Sequence, residues 1–280
     1  MYWPAFEFDY RLDLHRLAPH IVALEAYKRA ATTRVLPPQW REAPASVDLG
    51  PNNHVHAGNV AQSRAWVTQR FVPGSAPLSL DDLLAMHRIV ADPNNPESIP
   101  GTLRALAVQV GRREVGGLHL GAPPERLPLL MQQYIQFINS SDSLRLHPVV
   151  HALLAHFFLV TVHPFGDANG RVSRLLTAGL LAQRGYNVHG GFYALSAYFY
   201  QNDIEYHTLL HRCWLNPLPF DLTPFAAFGI AGFVMEMKSI NSFIQMKLNR
   251  TAERDLLAPP RRTRNGRQQH AASGEVYLRR

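Results

Sequence analysis

Residues 147–184 read HPVVHALLAHFFLVTVHPFGDANGRVSRLLTAGLLAQR, two helices joined by a short polar loop. From His147 to Val162 the run has little polar face, which suits a helix buried in a core. Pro164 and Gly166 disfavour its simple continuation. A second helix starts at about Asn169 or Gly170 and runs to Arg184, where Gly185 ends it. The end of the loop therefore presents the unpaired N–H groups of a helix N-terminus, a ready-made anion site.

The side chains around that N-terminus extend the argument. Gly170 lets a phosphate approach the backbone closely. Arg171 and Arg174, three apart on one face of the first turn, can hold two phosphate groups. Asp167 just before them can carry Mg²⁺, bridging phosphate oxygens. His163 at the rim can accept the proton of an attacking hydroxyl. Each residue alone has a plainer reading: a capping histidine, a turn, a solvated pair of arginines. Their joint occurrence within twelve residues favours phosphoryl or nucleotidyl transfer.

Outward from this segment the periodicity predicts further helices. Upstream they span 18–31 (with Pro19 in the first turn), 59–71, 80–90 capped by Ser79, and 126–138. Downstream they span 202–214 and 224–248. Leu103–Val110 and Val115–Leu120, around Gly111-Arg112-Arg113-Glu114, predict a β-hairpin. The expected fold is mainly α, a helical bundle with one hairpin beside the site. Its expected parts are an N-terminal lead-in (1–58), the helical domain (59–250) and an Arg-rich tail (251–280).

Composition limits the functions open to the chain. It has 280 residues, 46% hydrophobic and 18% charged, as expected of a globular protein. It lacks a run of about 18 apolar residues, so no membrane span is expected. Met-Tyr-Trp-Pro-Ala-Phe-Glu at the start carries no secretory pattern, so a cytoplasmic location is expected, with secretion into a host cell as the alternative. One cysteine, Cys213, rules out an internal disulfide framework and is expected to be a packing residue. The net charge is +7, but residues 251–280 carry seven arginines against three acids, leaving +3 for the body. Nucleic acid is therefore not the expected partner.

Residues 163–174 resemble the signature of the Fic family, H-P-F-x-(D/E)-(G/A)-N-(G/K)-R-x-x-R, and every position fits. The resemblance runs from about residue 55 to 235. Ile99-Pro100-Gly101-Thr102-Leu103-Arg104 and Val108-Gln109-Val110-Gly111 resemble the family's flap hairpin, and Glu205-Tyr206 its later helix. The resemblance implies a Fic-type bundle and transfer of AMP from Mg²⁺-ATP to a Ser, Thr or Tyr hydroxyl. His163 is then the general base and Asp167 the Mg²⁺ ligand. Ala168, Asn169 and Gly170 hold phosphate oxygens, with Val172 and Ser173 in the same nucleotide-binding turn, and Arg171 and Arg174 grip the β and γ phosphates. Phe165 anchors the loop, and Tyr206 packs near the adenine or ribose. The flap, with Val108, Val110 and Gly111, takes the target protein as an added strand and borders the nucleotide.

The departures from the family pattern are informative. Ala168, where many members have glycine, also occurs in the Doc-type branch, whose members phosphorylate their targets. Gly170, where that branch usually has lysine, favours AMP transfer, with phosphotransfer as the alternative. A non-catalytic nucleotide- or nucleic-acid-binding regulator is the second alternative. Asn53-His54-Val55-His56-Ala57-Gly58-Asn59 resembles the family's inhibitory helix with Ala57 at the glutamate position. That implies a site not inhibited by its own helix, controlled by a separate inhibitory partner or by self-association if at all. Glu25 and Glu42 are the candidates for a displaced glutamate. His207 stands for a common second tyrosine and Trp214 near a usual asparagine, so a pyrimidine nucleotide stays open as a substrate. With about 30 residues after the body, a winged helix is not expected.

Overall fold

The computed structural model of the chain describes residues 8–32, 57–112, 114, 117–186, 195–215 and 218–257. Two compact units divide it, Met1–Ile244 and Gln245–Arg280. The first takes in the N-terminal segment as well as the helices around the site. In the second, the described residues continue a helix to Leu257, where the Gln245 amide donates to Asn249 Oδ1 at 2.9 Å.

The apolar run folds as α6 (Pro148–Val162), and every residue from Val149 to Val162 is buried. A helix without a polar face has to be surrounded. α7 (Asn169–Gln183) returns along it after the loop, and α4 (Leu127–Ile138) packs on another side, with the Tyr134 hydroxyl donating to the Ala155 carbonyl at 2.8 Å. α10 (Thr223–Leu257) crosses at Gly229, where a Cβ would strike the Leu153 side chain. α3 (Leu80–Val90) and α2 (Ala57–Arg70) cover α7, and Gly179 of α7 admits the ring of Phe71.

Ser79 caps α3, as the sequence predicts, and the structure adds the reciprocal bond from Asp82 that completes a capping box. Arg70 reinforces that corner. Its Nε and Nη2 each donate to Asp82 at 2.7 Å, and it also donates to the carbonyls of Ala76 and Pro77.

Several expectations are corrected. α1 (Leu14–Thr32) starts earlier than residue 18, because Asp13 Oδ1 accepts the Arg16 N–H at 3.1 Å and caps it. Pro19 therefore lies inside the helix. The N-terminal segment holds a strand besides its helix: β1 (Tyr10–Arg11) pairs in parallel with β4 (Phe220–Asp221). Phe8 and Tyr10 enter the core there against Phe137 and Phe158. Two residues are too few to show a strand period.

The hairpin is shorter than expected, β2 (Gln109–Arg112) against β3 (Gly117–Leu120), antiparallel. Residues 103–108 are not strand, because Arg104 spends its hydrogen bonds on loops rather than on a ladder. α5 (Ser141–Arg145) and α8 (Ser196–Gln201) were not expected. α8 precedes α9 (Asp203–Leu215), which matches the helix expected over 202–214. Among the described residues no helix is long and apolar enough to cross a membrane.

Candidate active site

The loop between α6 and α7 opens on His163, the C-cap of α6, in the left-handed region at φ 53°, ψ 61°. That conformation costs a non-glycine residue about 1 kcal/mol and persists only when neighbours hold it. Here its N–H donates to the Leu159 carbonyl at 3.0 Å, and its own carbonyl accepts from Arg104 Nε at 2.7 Å. The ring Nδ1 lies 3.1 Å from the Val160 carbonyl. A carbonyl only accepts, so Nδ1 carries the proton and Nε2 keeps its lone pair. Burial pushes the pKa down to about 4, the Arg104 charge adds to this, and the Val160 hydrogen bond and Asp167 oppose it. At neutral pH the half-buried His163 is an unprotonated base.

Asn169 shapes the rest of the loop. Its Oδ1 accepts the Phe165 N–H at 3.0 Å and its Nδ2 donates to the Phe165 carbonyl at 2.8 Å. The side chain thus ties the loop together through Phe165, bonding at both its oxygen and its nitrogen. Phe165 is fully buried, as an anchor should be, and stacks on His87 at 4.0 Å. His87 Nδ1 accepts the Gly101 N–H at 3.0 Å, so its proton is on Nε2, 3.4 Å from Ser98 Oγ. Gly166 lies against the Glu97–Ser98 backbone with no room for a Cβ.

Ala168 takes a left-handed conformation, φ 61°, and provides no side-chain cap for α7. The first amides of α7 therefore point out of a left-then-right-handed turn, an anion nest with the helix dipole behind it. Arg171 Nη2 donates to Asp167 Oδ2 at 2.7 Å, while its Nη1 is buried without a hydrogen-bond partner. Gly170 leaves space beside Arg174, whose Nη1 would lie 3.2 Å from a Cβ there.

A cavity of about 790 Å³ opens next to the nest, within the range of small-molecule sites. His163, Gly170 and Arg174 form one wall, and Val110 and Gly111 of the flap another. Tyr206, His207 and Trp214 of α9 close the far side. Tyr206 is buried, stacks on Phe199 at 4.7 Å, and its hydroxyl lies 2.9 Å from His156 Nε2. Burial pushes the His156 pKa down to about 3, so the neutral ring accepts that proton. Trp214 Nε1 donates to Thr161 Oγ1 at 2.9 Å, and its ring meets His119 of β3 at 3.7 Å.

The structure thus brings together His163, Gly170, Arg174, Val110, Gly111 and Tyr206. Asp167 and Arg171 form their pair at the same helix start. Val108, Val172 and Ser173 do not line the cavity: Val172 and Ser173 are fully buried, and Val108 packs where a Gly121 Cβ would go. Glu25 does not act as a displaced inhibitory glutamate. It meets His147 and Tyr186 at the start of α6, about 22 Å of helix from His163. Glu42 and residues 53–56 lie outside the described residues, as does the side chain of Ala57, whose backbone opens α2. Cys213 is buried, and burial followed by the Asp221 charge pushes its thiol up to about 12, so it packs rather than attacks.

Sequence reasoning missed the site's support: His87, His119, the Asn169 amide and the guanidinium of Arg104. A cue existed only for Arg104, an arginine inside a turn-rich stretch with no acid beside it.

The comparisons with known proteins agree with this geometry. Residues 77–181 match the Fic/DOC family. Over 109 residues, 39% of this chain, it is 43% identical to the protein adenylyltransferase Fic of Drosophila grimshawi and 42% identical to that of Drosophila melanogaster. Those 109 residues span about a fifth of these relatives' length, 21% in each. Among solved structures, a Fic family protein from Desulfovibrio desulfuricans superposes with a TM-score of 0.57 at 20% identity, covering 81% of this chain and 64% of that one. Fic-1 from C. elegans gives 0.56 at 20% identity, covering 82% of this chain and 73% of that one. With the signature complete at 163–174, residues 77–181 match the Fic/DOC family, and the chain has the fold of the solved Fic proteins.

Proposed function

We propose that this protein transfers AMP from ATP to a hydroxyl of a target protein. The observation that carries the reading is the free Nε2 of a neutral His163 on the wall of a cavity that also holds the α7 nest and Arg174. His163 takes the hydroxyl proton as its oxygen attacks the α-phosphorus, the bond to the bridging oxygen breaks, and pyrophosphate leaves. Arg171, with its unpartnered Nη1, and Arg174 neutralise the charge on the leaving phosphates. The target enters along the flap, whose backbone offers a strand edge beside Val110 and Gly111.

The residues present fit a magnesium ion. Asp167 offers a carboxylate next to the nest, and among the described residues no cluster of three His, Cys, Asp or Glu forms. A Mg²⁺ held by Asp167 would rely on that one carboxylate with substrate phosphates and water, and would supply charge neutralisation of those phosphates.

The assay is transfer of label from α-labelled ATP to protein in a lysate, with His163→Ala as control. Ala168 in the Doc-like position supports phosphotransfer as the second reading. Label from γ-labelled ATP without label from the α position would establish that instead. Regulation is proposed from sequence: Ala57→Glu restores the family's inhibitory carboxylate and should lower labelling, and unchanged labelling would show that the segment is not the inhibitory helix.

A further inference from the structure

Arg104 is 6% exposed, lines no part of the cavity, and yet makes hydrogen bonds to every segment that meets at the base. Its Nε donates to the His163 carbonyl at 2.7 Å, Nη1 to the Leu106 carbonyl at 2.7 Å, and Nη2 to the Ala122 carbonyl at 2.5 Å. Its peptide N–H donates to the Pro164 carbonyl at 3.0 Å. All four acceptors are neutral, and among the described residues no carboxylate pairs with it. A cation buried without a counter-ion is costly, and a fold needing only to fill space does better with an apolar side chain.

The four acceptors explain what the guanidinium does. Leu106 lies on the limb that leads into the flap and Ala122 on the limb that leaves it. His163 and Pro164 form the turn that holds the base. The Ala122 N–H also donates to the Val162 carbonyl at 3.1 Å, and the Gly121 N–H to Val108 at 3.0 Å. The segments converge at Gly121, where a Cβ would come 2.8 Å from Arg104 Nη2, 3.0 Å from Val108 Cγ2 and 3.4 Å from His163 Cβ. α6 itself supplies the restraints on the His163 N–H and Nδ1, so Arg104 supplies the one that comes from outside the helix.

We propose that Arg104 is a positioning residue that joins the roots of the flap to the His163 turn, so that a target held on the flap meets the base at a set distance. This rests on His163 being the base and on the flap receiving the target. Arg104 acts through His163 and the flap, and touches neither nucleotide nor hydroxyl.

Two variants test it. Arg104→Ala removes the fork, and Arg104→Lys keeps the charge but cannot satisfy three carbonyls in one plane. For a misplacement of about 1 Å the expected loss in kcat is about 100-fold, with ATP affinity within about threefold. Lysine should restore less than a tenth of the lost rate, whereas added guanidinium ion should rescue Arg104→Ala by about tenfold or more. Without Arg104 on its carbonyl the His163 turn shifts and loosens the Nδ1–H bond to Val160, so the ¹⁵N shifts of the His163 ring, assigned against His163→Ala, should show the Nδ1–H form in the parent protein and a mixture of forms in Arg104→Ala. The proposal is overturned if folded Arg104→Ala keeps kcat within about threefold, or if kcat and ATP affinity fall together without guanidinium rescue. An unchanged His163 ring also overturns it. If the parent protein shows no His163-dependent transfer, the functional reading fails while the ring shifts still decide the positioning role.

Discussion

Gly166→Ala tests whether the catalytic turn is braced as described. A Cβ at this position would overlap the Glu97 carbonyl oxygen and lie 3.1 Å from its carbon and 3.2 Å from Ser98 Cα. These are backbone atoms, so no rotamer relieves the clash, and one of the two loops has to move. Overpacking of this kind costs about 2 kcal/mol, the middle of its usual range. For a domain of this size that corresponds to a fall in Tm of about 4–8 °C.

The larger effect falls on chemistry. The shifted loop carries His163 on one side and Asp167 on the other, and a displacement near 1 Å costs about 100-fold in rate. Gly185→Ala is the control. Gly185 has positive φ, 79°, and nothing lies within 4 Å of its Cβ position, so only the backbone strain of about 1–2 kcal/mol is expected. Urea unfolding and nucleotide transfer are measured on both variants. A Gly166→Ala protein as stable and active as the parent, or a Gly185→Ala protein equally impaired in transfer, would refute the bracing of the turn.

Three further outcomes follow from the buried polar groups. Burial holds His87, His119 and His163 at about 4 and His156 at about 3, below the ordinary 6.5, so the unfolded chain takes up protons first as the pH falls. Stability is therefore full above about pH 7 and declines from there towards pH 4, as a series of urea midpoints will show; a flat series contradicts the burial of these rings. Tyr206→Phe strands the His156 Nε2 acceptor and should cost about 1–3 kcal/mol in urea unfolding. Asp82→Ala leaves the Arg70 fork without its carboxylate and should cost about 2–3 kcal/mol, less than a wholly buried pair because the Arg70 side chain is 22% exposed. Thermal unfolding with Arg70→Met as the partner of a double-mutant cycle separates the pair from the rest of the corner.

Long periodic segments were legible in the sequence because their burial pattern is local. α6 is recognisable from an apolar run without a polar face, and α3 from its cap Ser79. The anion nest could also be read, since Gly170 and two arginines at a helix start belong to contiguous residues. Pairings at long range were hidden. β1 meets β4 across 210 residues with two residues each, too short for any period. α8 is six residues long and opens on Leu195 in a left-handed conformation that the residue type does not advertise. In the site, the family resemblance put Asn169 among the residues that hold phosphate oxygens; only the structure shows both ends of its amide bonded to Phe165. Arg104 acts through carbonyls that any residue provides, so no side-chain partner in the sequence points to it.

The central claim is that a neutral His163 activates a protein hydroxyl towards the α-phosphate of ATP bound at the start of α7. The most direct measurement is label transfer from α-labelled ATP to protein, with the parent chain and His163→Ala compared at equal folded concentration and equal measured ATP affinity. Labelled protein is expected with the parent chain, and a loss of about 100-fold or more with the variant while ATP still binds. Equal labelling by both, or labelling by neither with ATP bound, would contradict that claim.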